Sequence, residues 1–188
     1  MMKGKKKMEL FEKTLSRKEI FSGKIIDVHV DEVELSDGSR SIREIVEHSG
    51  GVCVAALTDE NELYFVRQFR YPYKRVLLEL PAGKLEKGED PRRAGERELL
   101  EECGVTAKKI ISLGTVYPTV AYCSEVIHLF CATGLENKKQ KLDEGEFLSV
   151  EKIKVENAVE LVMNGEISDS KTAVLVLKIS KLLQEGKI

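Results

Sequence analysis

Residues 83–105 read Gly-Lys-Leu-Glu-Lys-Gly-Glu-Asp-Pro-Arg-Arg-Ala-Gly-Glu-Arg-Glu-Leu-Leu-Glu-Glu-Cys-Gly-Val. Asp90 followed by Pro91 predicts a helix start, because an aspartate side chain caps the first free amides and proline suits the first helical position. Gly104 before an apolar residue predicts the helix end, since glycine readily adopts the left-handed conformation that closes many helices. The stretch therefore predicts a helix over about 91–103.

One face of this helix is acidic. At about 100° per residue, Glu98, Glu101 and Glu102 share one arc, and Leu99 and Cys103 lie on the opposite side. Like charges one turn apart cost roughly 0.2–0.5 kcal/mol each, and acids in the last turn oppose the helix dipole. A solvated charged face is the ordinary explanation, but Mg²⁺ or Mn²⁺ would offset the charge, since both prefer carboxylate, water and phosphate oxygens. We expect the arc to face solvent or a cleft and to form a metal platform for phosphate chemistry.

The composition indicates a globular protein. The chain has 188 residues, of which 42% are hydrophobic and 33% charged, and its net charge is −2. At about 150 residues per domain, one compact domain with an appendage is expected. The charge does not favour nucleic acid as a partner, and no apolar stretch approaches the roughly 20 residues of a membrane span. The four cysteines form no Cys-x-x-Cys pair and no secretory signal is visible, so we expect a cytoplasmic protein with reduced thiols.

The first fifty residues predict a small β unit. Residues 24–35 alternate between apolar and polar side chains and then change phase, which predicts a strand with a bulge or break. A turn and a second strand follow. Because Gly50-Gly51 interrupts the pattern, we expect an N-terminal β unit over 1–49 and a main domain over 50–188.

The rest of the chain predicts strands around the acidic helix, followed by two more helices. Short β-rich apolar runs predict strands at 52–57, 63–66, 76–80, 110–117, 126–132 and 147–150. Valine and leucine recur at helical spacing over 155–164 and 169–185. The predicted class is α+β with a mixed sheet.

The acidic stretch resembles the signature of the Nudix hydrolases, G-x5-E-x7-R-E-U-x-E-E-x-G-U, with U aliphatic. Every defined position is matched, by Gly83, Glu89, Arg97, Glu98, Leu99, Glu101, Glu102, Gly104 and Val105. The flanking segments 67–70, 79–83 and 124–130 are similar to the ADP-ribose pyrophosphatase branch, and the likeness covers roughly residues 20–180. The resemblance implies a Nudix-type α/β/α sandwich with a mixed sheet, together with a small N-terminal β subdomain.

The resemblance also implies a metal site. Glu98 and Glu102 match carboxylates that hold Mg²⁺, Glu101 matches a shared or second-metal ligand, and the carbonyl of Ala82 matches a further ligand. Glu146 is similar to an extra metal contact on a loop after the signature. We expect two or three Mg²⁺ ions, for which Mn²⁺ can substitute.

Catalytic roles follow from the same resemblance. Glu144 is similar to the loop glutamate that acts as general base, although its order with Glu146 stays open. Glu101 and Arg97 match further groups of the catalytic centre, and Arg97 pairs with Glu89 to orient the helix. The structural glycines of the signature are Gly83 and Gly104.

Five residues are candidates for binding the substrate. Arg43, Arg67 and Arg70 can hold phosphate or ribose oxygens, because a guanidinium matches them with two parallel donors. Glu44 lies in a flanking segment that resembles the branch, and Phe21 can stack on a base. The alternatives are ordinary surface arginines and a phenylalanine in the core.

The expected function is Mg²⁺-dependent hydrolysis of the pyrophosphate bond of ADP-ribose or a related nucleoside diphosphate sugar, giving AMP or another nucleoside monophosphate and a sugar phosphate. Val120-Ala121 replaces a Pro-Gly pair usual in the branch, which leaves the exact sugar open. The alternatives are a house-cleaning pyrophosphohydrolase of nucleoside triphosphates and a non-catalytic Nudix-like ligand sensor. The branch also implies a homodimer.

Overall fold

The structure is a computed structural model that describes residues 10–142, 145 and 147–188. Its contacts divide the chain into two units. The first unit contains the chain up to His48 together with Thr119–Glu125, and the second contains Ser49–Pro118 and Val126–Ile188. The segment 119–125 joins the first unit through β-type hydrogen bonds, in which the amide of Val46 donates to Tyr122 and that of Ser124 donates to Val46.

The first unit is an antiparallel sheet in the order β1-β2-β3. Its strands are β1 (Lys13–Ser22), β2 (Ile26–Glu34) and β3 (Arg40–His48). The predicted bulge or break within 24–35 is wrong, because β2 pairs with β3 residue by residue without interruption. The register shifts lie instead in the pairing of β2 with β1, a strand that the charged N-terminal sequence did not predict.

The phase change in β2 has a physical cause. His29, Asp31 and Val33 are buried on one face, although two of the three are polar. Arg17 of β1 donates two hydrogen bonds to the carboxylate of Asp31, at 3.0 and 3.1 Å. Burial on this face therefore depends on charge pairing with a neighbouring strand, which a hydrophobic period cannot indicate.

The second unit contains seven strands and three α-helices within the described residues. The strands are β4 (Gly51–Ala56), β5 (Glu62–Arg70), β6 (Arg75–Glu79), β7 (Ala82–Lys84), β8 (Val105–Val116), β9 (Ile127–Asn137) and β10 (Leu148–Lys154). The helices are α1 (Pro91–Cys103), α2 (Val155–Met163) and α3 (Ser170–Gln184). A short 3-10 helix, Tyr71–Tyr73, links β5 to β6. Every predicted strand and helix of this unit is confirmed, and β7 was not predicted.

Strand β4 lies at the centre of the second unit. It belongs to the mixed sheet β7-β4-β9-β8, in which it pairs parallel with β9, and the other sheet has the order β10-β5-β6. Cys53 and Ala55 on one side of β4 pack in a cluster with residues of α2 and α3. Val52 and Val54 on the other side pack in a cluster with Leu99 of α1 and its neighbours. Helices thus cover both faces, which confirms the α/β/α sandwich and explains why β4 is apolar throughout.

Two further expectations concern the whole described chain. The four cysteines, all within the described residues, are free. Over residues 10–142, 145 and 147–188, no helix has the length and apolar character needed to cross a membrane.

Candidate active site

Helix α1 begins and ends where its sequence predicts. The Asp90 carboxylate accepts hydrogen bonds from the amides of Arg92 and Arg93, at 3.0 and 3.1 Å. Gly104 has φ +63°, and its amide donates to the carbonyl of Leu100 at 3.0 Å. A Cβ on Gly104 would lie 2.8 Å from the backbone nitrogen of Gln140, so a close chain approach also requires glycine here. The acidic residues consequently occupy the last two turns of the helix.

The acidic arc faces the corner formed by Ala82 and Gly83. Glu102 is only 2% exposed, and its carboxylate accepts a hydrogen bond from the amide of Ala82 at 3.0 Å. A Cβ on Gly83 would overlap the carboxylate of Glu98, so only glycine allows this approach. The arc therefore contacts backbone, and the expectation that it faces solvent or a cleft is wrong for Glu102.

Arg97 binds three carboxylates, two on the helix and one just before it. Its Nε and Nη2 atoms donate to the two oxygens of Glu89, both at 3.0 Å. Its Nη1 atom donates to Glu98 at 2.7 Å and to Glu101 at 3.0 Å. The hydrogen bonds that Arg97 donates to Glu89, and then those to Glu98 and Glu101, raise the pKa of Arg97 despite its partial burial. We name Glu89, Arg97, Glu98, Glu101 and Glu102 the α1 cluster, in which one guanidinium offsets part of the acidic charge.

A second charged cluster lies at the start of α3. Glu79 is 1% exposed, and its carboxylate accepts hydrogen bonds from Nε and Nη2 of Arg70, at 2.6 and 2.8 Å. Lys171 donates to the same carboxylate at 2.5 Å and lies 3.0 Å from the carboxylate of Asp169. Burial alone would raise the pKa of Glu79, but the donors from Arg70 and Lys171 outweigh it and lower that pKa. We name Arg70, Glu79, Asp169 and Lys171 the α3 cluster.

Sequence reasoning found only Arg70 in the α3 cluster. Glu79 is an acid at the end of a buried strand, and Lys171 is a base in the first turn of an apolar helix. Both positions are unusual for a charged residue, because charged side chains are rarely buried unless they are paired. They signal that partners exist, but give no indication that the two residues, 92 positions apart, are each other's partners.

The other expected substrate residues have the following positions. Arg67 of β5 pairs with Glu151 of β10 at 2.5 Å, and both are partly exposed. In the first unit, Arg43 pairs with Glu12 at 2.6 Å, and Glu44 is exposed on β3. Phe21 is 55% exposed, so the alternative of a core phenylalanine is wrong.

Glu144 and Glu146 lie outside the described residues. The segment just before them joins the end of α1. The amides of Lys138 and Lys141 donate to the carbonyls of Gly104 and Glu101, at 2.7 and 3.2 Å, and the side-chain amide of Gln140 donates to the carbonyl of Glu102. These bonds satisfy carbonyls at the helix end that have no partner within the helix.

The donor set suits a hard divalent cation. The α1 cluster offers carboxylate oxygens, the ligand type that Mg²⁺ and Mn²⁺ prefer, beside the backbone of Ala82. Within the described residues, however, no three histidine, cysteine, aspartate or glutamate side chains already form a group able to hold a metal ion. The chemistry of the α1 cluster therefore fits a metal that binds with help from further ligands, such as backbone, water or substrate oxygens.

Comparison with known proteins gives two family matches. A model described as "NUDIX domain" matches residues 47–173, and one described as "Nucleoside diphosphate sugar hydrolase N-terminal domain" matches residues 12–46. An ADP-ribose pyrophosphatase of Bacillus subtilis (strain 168) is 45% identical over 182 residues, which cover 95% of this chain and 98% of the relative. A methanol dehydrogenase activator of Bacillus methanolicus is 42% identical, covering 88% and 90% of the two chains.

A solved structure described as an ADP compounds hydrolase has the same fold. It superposes with a TM-score of 0.82, covers 94% of this chain and 97% of its own, and is 20% identical in sequence.

Proposed function

Because this chain belongs to the Nudix hydrolase family, we propose that it hydrolyses the pyrophosphate bond of ADP-ribose or a related nucleoside diphosphate sugar. The products are AMP, or another nucleoside monophosphate, and a sugar phosphate. The observation that carries the proposal is the acidic arc of α1 held against the Ala82–Gly83 corner, within an intact signature. The relatives and the match of the N-terminal residues to a nucleoside diphosphate sugar hydrolase domain support the substrate class.

Nudix hydrolases generally use divalent metals, and we propose two or three Mg²⁺ ions, replaceable by Mn²⁺, for this one. Glu98, Glu101 and Glu102, the carbonyl of Ala82 and Glu146 would hold them. When bound, Mg²⁺ supplies positive charge beside the phosphates and lowers the pKa of water.

The protein's own residues prepare the reaction. Glu144 accepts a proton from the attacking water, whose oxygen bonds to one phosphorus while the bond from that phosphorus to the bridging oxygen breaks. The bridging oxygen leaves with the other phosphate, so both products are phosphate monoesters. Arg97 fixes the Glu101 side chain at 3.0 Å and keeps it in the catalytic centre.

Five residues are proposed to bind the substrate. They are Arg67 and Arg70 of the second unit and Arg43, Glu44 and Phe21 of the first. Phe21 is exposed and can stack on a base. We also propose that residues 1–49 serve substrate contact and dimerisation, and that 50–188 form the hydrolase domain.

The segment 119–125 is proposed to select the terminal sugar. The amide of His48 donates to the Ser124 side chain at 3.0 Å, and Val120 is exposed at the tip of the segment. A segment anchored at its base and exposed at its tip can vary its contacts without disturbing the sheet.

A homodimer is proposed through the first unit. An open groove of about 720 Å³ on this unit is lined by apolar side chains that include Ile20, Val28, Val30 and Ile42. Strand β1 is exposed along nearly its whole length, which is unusual for a strand without a covering partner. A second copy is the proposed cover, and the four free cysteines support a cytoplasmic location.

Ile42→Glu tests the dimer. Ile42 is 65% exposed and lines the groove, so a charge there should leave the monomer folded and abolish dimers in light scattering after size exclusion. Ile25→Glu is the matched control, because Ile25 is 53% exposed and precedes β2. A monomeric unsubstituted protein would contradict the proposal.

A substrate panel with Mg²⁺ at slightly alkaline pH tests the reaction. The panel contains ADP-ribose, GDP-mannose, UDP-glucose, NADH, a dinucleoside polyphosphate and dGTP, with phosphate monoesters measured as products. ADP-ribose or another nucleoside diphosphate sugar should give the highest kcat/KM. A preference for dGTP would support the house-cleaning alternative, and tight binding without turnover would support the ligand sensor.

A further inference from the structure

The first turn of α3 contacts the segment that precedes the acidic corner. Asp169 caps the helix by accepting a hydrogen bond from the amide of Thr172 at 3.0 Å. This cap fixes the backbone of the turn, and with it the two neighbouring side chains of Lys171 and Thr172. Both side chains bind the end of β6 and the residue after it. Lys171 donates to the carboxylate of Glu79, and the Thr172 hydroxyl accepts from the amide of Leu80.

A series of contacts connects Thr172 with Glu102. The Thr172 hydroxyl oxygen accepts a hydrogen bond from the amide of Leu80 at 2.9 Å, and both residues are fully buried. One residue later, the carbonyl of Pro81 accepts from the amide of Val54 at 2.9 Å. Ala82 follows and donates its amide to Glu102. Thr172 thus binds the first residue of the segment 80–82, and the last residue of this segment, Ala82, binds Glu102 of the α1 cluster.

A second series of contacts connects Lys171 with Arg70 through Glu79. The Lys171 side chain is 13% exposed and lies between the carboxylates of Glu79 and Asp169. Glu79 in turn binds both Nε and Nη2 of Arg70, which fixes the plane of the guanidinium. The Arg70 side chain keeps 35% of its surface exposed, so it can still contact a bound molecule.

We propose that the first turn of α3 is a positioning element of the active site, with two separate paths. Thr172 positions the Ala82 corner and Glu102, and Lys171 positions Arg70 through Glu79. The inference rests on the proposed function for the roles of Glu102 and Arg70. In this proposal a helix outside the signature positions Glu102, which would hold the metal, and Arg70, which would bind the substrate.

The two paths predict different kinetic effects for neighbouring residues. Thr172→Val keeps the shape of the side chain but removes the acceptor for Leu80, so the Ala82 corner and Glu102 should shift. We expect an about tenfold weaker affinity for Mn²⁺ and an about tenfold lower kcat, with KM nearly unchanged. Thr172→Ser should retain both, because it keeps the hydroxyl.

Lys171→Met should act on the other side. It removes one of the two cations bound to Glu79, so Glu79 and Arg70 should move together and the substrate should bind more weakly. We expect an about tenfold higher KM on the best substrate of the panel, with Mn²⁺ affinity unchanged. Lys171→Arg should restore KM, since it keeps a cation at this position.

The experiment measures kcat, KM, Mn²⁺ affinity by calorimetry and the melting temperature of each variant. Lys181→Met on the same helix is the control, because Lys181 is exposed and pairs with Glu185 at the surface. If Lys171→Met folds poorly, Lys171→Met/Glu79→Gln also removes the buried charge that has lost one of its two cations, so this variant should fold while KM stays raised.

A separation of effects, with Mn²⁺ affinity lost only at Thr172 and KM raised only at Lys171, supports the positioning paths. Parallel losses in both variants that follow the melting temperature would overturn them, as would kinetics and Mn²⁺ affinity equal to those of the unsubstituted protein. If the unsubstituted protein cleaves no nucleoside diphosphate sugar but Thr172→Val still loses Mn²⁺ affinity, the positioning role stands and the proposed substrate class fails.

Discussion

The two charged clusters of the second unit have opposite charge balances. The α3 cluster contains two basic and two acidic side chains, whereas the α1 cluster contains one basic and four acidic ones. A balanced cluster satisfies its own charges, and such a cluster suits a structural or positioning role. A cluster with excess negative charge is costly in a partly buried place unless a cation offsets it. This difference supports our proposals that the α1 cluster holds the metal and that the α3 cluster positions Arg70 on the substrate side.

The largest expected effect is at Glu102. Glu102→Gln keeps an acceptor for the Ala82 amide but removes the negative charge, so kcat should fall by about 10³-fold with the fold intact. Steady-state kinetics and circular dichroism measure the two outcomes. Glu96→Gln is the control, because Glu96 is on the same helix, half-exposed and paired with Arg92. A nearly unchanged rate would remove Glu102 from the metal site.

Gly83→Ala tests how closely the corner must approach the α1 cluster. The added Cβ would occupy the position of the Glu98 carboxylate, so the carboxylate has to move. Because displacement by about 1 Å can cost about 10²-fold, kcat/KM should fall by about that factor. A crystal structure of the variant should reveal a displaced Glu98. Full activity with Glu98 unmoved would contradict the close approach.

Glu79→Gln tests the α3 cluster through stability. The variant replaces a charged acceptor of Arg70 and Lys171 with a neutral one, so the free energy of unfolding at pH 7 should fall by about 2 kcal/mol. Urea denaturation measures the change. A variant as stable as the unsubstituted protein would show that the buried charge contributes nothing.

The same variant has a pH dependence with a definite sign. The pKa of Glu79 is lowered in the folded protein, so its stabilisation is present above the unfolded pKa of about 4.3 and is lost as the pH falls through the folded value. The difference between the two proteins should therefore be largest near pH 7 and shrink below about pH 4. A difference that is constant from pH 7 to pH 3 would contradict this assignment.

The smallest expected effect is at the start of α1. Asp90→Ala removes the acceptor for two backbone amides, far from the acidic turns, so stability should fall by about 1 kcal/mol while kcat is retained. Thermal unfolding and kinetics separate these outcomes, and Asp90→Ser should recover most of the stability. A large loss of kcat would mean that the cap also orients the α1 cluster.

The α1 cluster could be predicted from sequence because its residues are local. Arg97 contacts Glu98 and Glu101, one and four positions away on the helix, and helix periodicity places the pair four positions apart on one face. Its third partner, Glu89, lies just before the helix. Gly83 was identified as a structural glycine of the signature, but the sequence did not show which side chain approaches it. The sequence analysis assigned the neutralisation of the acidic arc to a metal alone. It missed that Arg97 offsets part of this negative charge.

The α3 cluster and the strands of the first unit could not be fully predicted from sequence, because their contacts join residues that are distant in the chain. Strand β1 is exposed along nearly its whole length, and its three apolar residues, Leu15, Ile20 and Phe21, do not alternate regularly. No hydrophobic period therefore marked it, and its existence follows from hydrogen bonds to β2. The continuous β2 was interpreted as interrupted because Asp31 is buried through an ion pair with Arg17. The segment 119–125 joins β3 across more than seventy residues of sequence.

The sequence by itself determined the bounds of α1, the acidic arc, the glycine at its corner and the order of strands and helices in the second unit. Caps, helical period and apolar runs are local properties, and they act over a few residues. Only the tertiary structure decided that Glu102 is buried against Ala82, that Lys171 and Arg70 share Glu79, and that Thr172 holds the corner. These contacts arise when distant segments pack together, because a buried charge or amide takes its partner from whichever segment lies beside it.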